Sequence, residues 1–209
     1  MRFRPVHLLL SLAVVSLAGH AVADTPALSS SSPAVTRLLA AKQTMKWNVN
    51  LNGHRYGHSE AIVAAPIDKV TKTVTDFNHY KELHPKFATA RVIMRAGDET
   101  DVYVQHPIKV GMARIQLYEV LRFGALTNRN GTQVIEAHGV KGDLRDAHTV
   151  ITSTPIDARH TLLQVDALFV PKLPAPQSFI DEELRDGAED LVNGLKDRAQ
   201  GFPGVVSTL

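Results

Sequence analysis

The chain of 209 residues contains no cysteine. Thiol catalysis, a disulfide framework, thiolate-bound metal and a lipidated N-terminal cysteine are therefore excluded. An excess of one charge is lacking too: 23 Lys and Arg stand against 21 Asp and Glu, which leaves no electrostatic case for a nucleic-acid partner. The common catalytic signatures are also missing. There is no G-x-S-x-G elbow, no H-E-x-x-H helix, no P-loop and no G-x-G-x-x-G fingerprint. Aromatic residues are sparse at 6%, which limits the side chains able to fill a wide interior. What remains, 44% apolar residues in a chain of this length, suits one domain with extensions and a core that needs no disulfide.

Residues 1–23 have the pattern of a secretory signal. Arg2 and Arg4 form a positive n-region, Leu8 to Ala18 is apolar apart from Ser11 and Ser16, and Ala21-Val22-Ala23 supplies an A-x-A site before Asp24. The apolar run is well short of the ~20 residues of a transmembrane helix, and no later segment is apolar enough to span. Cleavage after Ala23 removes two basic residues and leaves 21 of each sign. The expectation is an exported protein, periplasmic in a bacterial host. Residues 24–43 read as a polar tether containing Ser29 to Ser32 and a short helix, residues 44–200 as the folded domain, and residues 201–209 as a tail.

Ser32 ahead of Pro33 reads as an N-cap with proline at the first helical position, opening a helix to about Lys42. Strict alternation from Met45 to Asn52 predicts a strand with Met45, Trp47, Val49 and Leu51 on its buried face. Asn52-Gly53 then turns the chain into a return strand from His58 to Ala64. After Pro66, Ile67, Val70, Val74, Phe77 and Tyr80 recur at spacings of three and four, the stripe of an amphipathic helix. A second short helix spans Asn78 to His84, ahead of Pro85. From there the pattern is strand-like over 90–95, 101–105, 111–123, 132–140, 144–154 and 161–170, with Gly97-Asp98, Asn130-Gly131, Gly142-Asp143 and Pro155 marking turns. Consecutive strands joined by turns predict an antiparallel sheet. Pro171, Pro174 and Pro176 lead into a helix from Gln177 to Gln200 with the apolar stripe Ile180, Leu184, Ala188, Leu191 and Leu195. Its acidic start and basic end suit the helix dipole.

This α+β order resembles the helix-grip fold of the START, polyketide-cyclase and pollen-allergen (SRPBCC) superfamily. Ala64-Ala65-Pro66-Ile67-Asp68-Lys69-Val70 resembles that family's entry into its first short helix, and Asp76-Phe77-Asn78-His79-Tyr80 through Pro85 resembles its helix pair. Thr161-Leu162-Leu163 followed by Leu173-Pro174 resembles its last strand and its turn into the closing helix. The likeness covers roughly residues 44–198. It implies a curved antiparallel sheet wrapped around the long C-terminal helix, an elongated cavity between them, and binding of a hydrophobic molecule such as a lipid, sterol, quinone or polyketide. Some relatives, such as the polyketide cyclases, are enzymes; many, including the coenzyme Q-binding group, are carriers. The candidate lining is Ala113, Leu117, Ala147, Val165, Ala167, Phe169, Leu184, Ala188 and Leu191, with Ala137, Gly187 and Gly194 adding little bulk. A pocket of some ~300–1,000 Å³ is the expectation.

Glu119 shares its strand face with Ala113, Ile115, Leu117, Leu121 and Phe123. A carboxylate on an apolar face is either paired or protonated with a raised pKa. It is a candidate anchor for a ligand hydroxyl or a general base, and equally a candidate for a structural ion pair. Arg145 has the strand parity of Ala147, which makes it a candidate for a ligand carboxylate or for Glu119 at the cavity mouth. His138 and Glu136 share a face with Val134 and Val140 and are candidate lining residues; His148 alternates with Val150. His54, His58 and Glu60, and again His79, Glu82 and His84, are loose groups without the convergent ligands of a zinc site. No metal and no cofactor is expected. The functional expectation is an exported carrier of a hydrophobic small molecule. The alternative is a cyclase, dehydratase or hydrolase acting on a polyketide-like or lipid substrate, with Glu119 and Arg145 or a nearby histidine as the acid–base candidates.

Overall fold

The structure, a computed structural model, describes residues 32–41, 43–110, 113–172 and 174–201, without the side chains at 109, 110, 113 and 114. The predicted signal segment, most of the tether and residues 202–209 lie outside this description. In chain order the elements are α1 (Pro33–Ala41), β1 (Met45–Leu51), β2 (His54–Val63), α2 (Ile67–Val74), a 3-10 turn (Phe77–His79), α3 (Tyr80–Leu83), β3 (Thr89–Ala96) and β4 (Glu99–Val110). β5 (Ala113–Phe123), β6 (Thr127–Arg129), β7 (Thr132–Gly142), β8 (Leu144–Pro155), β9 (Thr161–Pro171) and α4 (Gln177–Gln200) follow. Positive φ at Asn52 and Gly53, and again at Asn130 and Gly131, closes two-residue hairpins, the backbone that Asn-Gly pairs adopt most readily.

All strand pairs are antiparallel, in the order β1-β2-β9-β8-β7-β5-β4-β3, with β6 added to β7. The α+β helix-grip architecture expected from the sequence is the one present: one sheet, with α4 lying against its inner face. β4 runs to Val110, well past the expected end at Gln105. β3 stops pairing at Gln105, so Pro107 lies where β4 is an outer edge and its missing N–H costs no ladder bond. The core joins this sheet to the helices through Val63, Val70, Val74, Leu163, Val192 and Leu195.

One face prediction is reversed. In β1 the side chains turned towards α4 are Lys46, which pairs with Asp186 and Glu189, and Asn48, which donates to the Asp181 carbonyl. Met45, Trp47, Val49 and Leu51 face the outside, where none is fully buried. β1 is an edge strand, and its inner face meets a charged flank of α4 instead of the core.

The outer face carries a buried polar cluster under α1. Val35 and Leu38 seat the helix, and Arg37 donates to Glu60, only 1% exposed, at 2.5 Å. Gln164 donates to the same carboxylate at 3.2 Å, and His58 Nδ1 lies 2.7 Å from Asp166. Burial disfavours the charged His58 ring, but the Asp166 and Glu60 carboxylates outweigh it and raise its pKa to about 9. A raised histidine pKa stabilises the fold fully below its unfolded value of about 6.5. That contribution is lost as pH rises through about 9. Urea midpoints are therefore expected to fall between neutral pH and pH about 9, a slope that His58→Gln abolishes. Glu60→Ala removes the acceptor of Arg37 and Gln164 while His58 keeps Asp166, and is expected to cost about 1–3 kcal/mol at neutral pH in the same assay.

Candidate functional site

Two glycines determine where α4 touches the rest of the fold. A side chain at Gly57 of β2 would overlap the Leu184 carbonyl of α4, and one at Gly194 of α4 would overlap the Leu83 carbonyl of α3. The helix is thus seated backbone-to-backbone at both contacts. Along the row Gly57–Ala167–Thr149–Ala137 the inner face of the sheet presents small or medium side chains. Between α4 and β4, β5, β8 and β9 a cavity of about 720 Å³ remains.

Its walls are mainly apolar. β4 and β5 supply Ile108, Ile115, Leu117 and Leu121; β8 and β9 supply Ala147, Ala167 and Phe169; α4 supplies Phe179, Ile180 and Leu191. Gly187 leaves further room on the helix side.

Polar groups interrupt these walls, among them His84, Lys86, His106, Glu119, Lys172 and Glu183. Burial, with His106 and Lys86 nearby, lowers the His84 pKa to about 3, and burial with Lys86 also lowers that of His106. Both rings are neutral at physiological pH. His84 Nδ1 accepts the Lys86 backbone N–H at 3.3 Å, whereas the buried His106 Nδ1 has no hydrogen-bond partner among the described residues. Lys86 is neutralised by Glu183 at 3.2 Å.

Glu119 lines the cavity and is 6% exposed. Burial raises its pKa, opposed by the Leu144 N–H at 3.2 Å and by the charge of Lys172. Its carboxylate fills the space left by two glycines. A Cβ at Gly139 would come within 2.8 Å of one oxygen, and a Cβ at Gly142 would collide with the other.

Of the other residues singled out in the sequence, Leu117, Ala147, Ala167, Phe169 and Leu191 line this cavity. Val165 and Ala188 are fully buried where helix and sheet meet in solid contact, and Leu184 is buried against Gly57. The Ala113 side chain lies outside the described residues. Arg145 is exposed and absent from the lining. The β8–β9 register shifts between Leu144 and Asp146, so Arg145 is a bulged residue and its parity with Ala147 does not hold. His138 faces outward, its side chain 62% exposed, because the inner face of β7 is carried by Ile135, Ala137 and Gly139. Lys86, His106, Asp143, Lys172 and Glu183 are polar lining groups the sequence reading did not single out as such, and His84, read there as part of a loose group at a helix end, joins them. The alternation Val102, Val104, His106, Ile108 continues through Pro107 and was the available signal.

No family model and no curated protein sequence matches the chain. Solved structures do match its fold. A STAR-related lipid transfer protein from Xanthomonas axonopodis superposes with a TM-score of 0.63 at 15% identity, over 75% of this chain and 93% of that one. A START superfamily protein from Mycobacterium smegmatis gives 0.58 at 22% identity, over 68% and 95%. The Zhui aromatase/cyclase from Streptomyces sp. R1128 gives 0.50 at 14% identity, over 76% and 94%. The chain has the fold of these START and aromatase/cyclase structures, a helix-grip domain with an apolar cavity under its closing helix.

Proposed function

We propose that this protein is an exported carrier that shelters a hydrophobic small molecule in the cavity beneath α4. The observation that carries the reading is the cavity itself: about 720 Å³, walled mainly by aliphatic and aromatic side chains, with its histidines neutral, Lys86 ion-paired to Glu183 and Lys172 donating to the Gly142 carbonyl. Its volume lies inside the ~300–1,000 Å³ range of ligand sites. An apolar guest gains roughly 25 cal/mol per Å² buried, less its ordering cost. Glu119 and the unpartnered His106 Nδ1 would orient one polar end of such a guest. The fold neighbours include proteins named for lipid transfer and for aromatase/cyclase activity. Of the pairs proposed for the enzymatic alternative, Glu119 with Arg145 is not assembled, since Arg145 is absent from the cavity lining, whereas His84 and His106 line it with Glu119. Export rests on the signal-like pattern of residues 1–23, and its check is an intact mass corresponding to cleavage after Ala23. Described residues contain no helix long and apolar enough to cross a membrane.

The test is native mass spectrometry of gently purified protein, followed by organic extraction of what it carries. A stoichiometric apolar guest is expected. After extraction the protein is expected to take up one lipid, sterol or quinone from a panel. Empty protein that also ignores the panel overturns the proposal.

A further inference from the structure

On the outer face of the sheet, away from the cavity, three potential ligands meet across one strand pair. Glu136 and His138 stand two residues apart on β7, and His148 is the direct cross-strand partner of His138 on β8. Their nearest ligand atoms all lie within 4.8 Å of one another. Glu136 Oε2 is 3.6 Å from His148 Nε2 and 4.0 Å from His138 Nε2, too far for hydrogen bonds. The two imidazoles are stacked with centroids 4.4 Å apart.

The decisive atom is His148 Nε2. It is buried and has no hydrogen-bond partner, while Nδ1 of the same ring is 2.8 Å from the Tyr56 hydroxyl. In the tautomer whose Nδ1–H donates to Tyr56, Nε2 presents a bare lone pair towards Glu136 and His138, and among the described residues no group donates to it. A metal cation satisfies that lone pair. Holding the far ring nitrogen by a second group is also how metal-binding histidines are fixed in tautomer and orientation.

We propose that Glu136 Oε2, His138 Nε2 and His148 Nε2 form a binding site for a divalent first-row transition metal of the zinc type, with Tyr56 positioning His148 and water in the fourth place. Tetrahedral coordination with bonds near 2.0–2.1 Å puts donors roughly 3.3 Å apart, so Glu136 and His148, at 3.6 Å, are nearly in place, and His138, 4.0 Å from Glu136, must move in by the larger step. Binding also turns the His138 ring out of its stack, since parallel planes share no in-plane point. That ring is exposed and free to turn. Two imidazoles and one carboxylate favour zinc, cobalt, nickel or copper over magnesium or calcium, which prefer all-oxygen shells. The ion would brace β7 to β8 directly behind Ala147 and Thr149, two cavity-lining residues of β8. The fourth position opens to solvent on the outer face, so the site is a clamp on the cavity wall and takes no part in holding the guest.

The check uses the full chain without a histidine tag, stripped by chelator and titrated with Zn2+ alone in a calorimeter and with Co2+ alone in an absorption spectrometer. One ion per chain is expected, with the visible bands of four-coordinate Co2+ that Zn2+ then bleaches. The exposed His138→Ala is expected to abolish the four-coordinate bands and to weaken Zn2+ by more than the roughly 10–100-fold typical of losing an outer partner. Tyr56→Phe, which keeps all three ligands, is expected to weaken Zn2+ about tenfold without changing the band pattern. Circular dichroism shows whether each variant stays folded. Absence of saturable binding, or equal binding to wild type and folded His138→Ala, overturns the site.

Discussion

Gly57→Ala is expected to destabilise the domain by about 3 kcal/mol or more, at or above the upper end of ordinary overpacking penalties. The added methyl meets the carbonyl of Leu184 and the backbone nitrogen of Arg185. These are helix backbone atoms, which no rotamer change can move aside. α4 must lift from β2, and in doing so it loosens Leu184, Ala188 and Val192, all essentially buried beneath it. Gly194→Ala has the same cause at the other contact, against the Leu83 backbone, and an effect of the same size is expected. Gly124 is the internal control. A methyl there finds only the Glu136 carbonyl at 3.9 Å, so Gly124→Ala should stay within about 0.5 kcal/mol of wild type. Urea unfolding of the three variants checks this directly. Wild-type stability in Gly57→Ala would mean that α4 is not seated on β2, and the boundary of the cavity would then have to be redrawn.

How the sequence could anticipate the closing helix but only part of the site is a matter of which forces leave a periodic trace. α4 has the expected bounds, Gln177–Gln200, because prolines mark its start, an apolar stripe fixes its inner face and Gly201 ends it with φ 87°. The hairpins were equally legible from Asn-Gly pairs. The inner face of β7 was not: Ala137 and Gly139 carry little hydrophobic signal, so the outward Val134, Val140 and His138 looked like the stripe. Small residues are what make a cavity wall and also what hide it from a pattern search. β1 failed for a different reason. Alternation says that a strand has two unlike faces, but it does not say which one meets a charged helix flank such as Asp186 and Glu189. Arg145 failed because a bulge adds one residue and inverts parity beyond it. Glu119 was legible because a carboxylate among aliphatic residues is conspicuous. Its cradle of Gly139 and Gly142 exists only through the β5–β7 pairing.

If the cavity is where the guest resides, filling it should remove binding without unfolding the protein. Ala147 lies on the wall and is 5% exposed, and Ala147→Phe directs a ring into space that is now empty. A guest denied about 100 Å² of contact loses about 2.5 kcal/mol, close to two decades of affinity. The introduced ring itself gains burial of the same order, so stability is expected to stay level or rise. That opposite movement of affinity and stability separates the variant from ordinary damage, which lowers both. Val140→Phe is the matching control, since Val140 is 46% exposed on the outer face and a ring there touches no part of the cavity. Uptake of the extracted guest or of a panel lipid, followed by native mass spectrometry beside urea melts, reads both quantities on the same samples. Undiminished uptake by a stable Ala147→Phe protein would place the guest elsewhere and remove the physical basis for a carrier, because the apolar void would then have no occupant to explain.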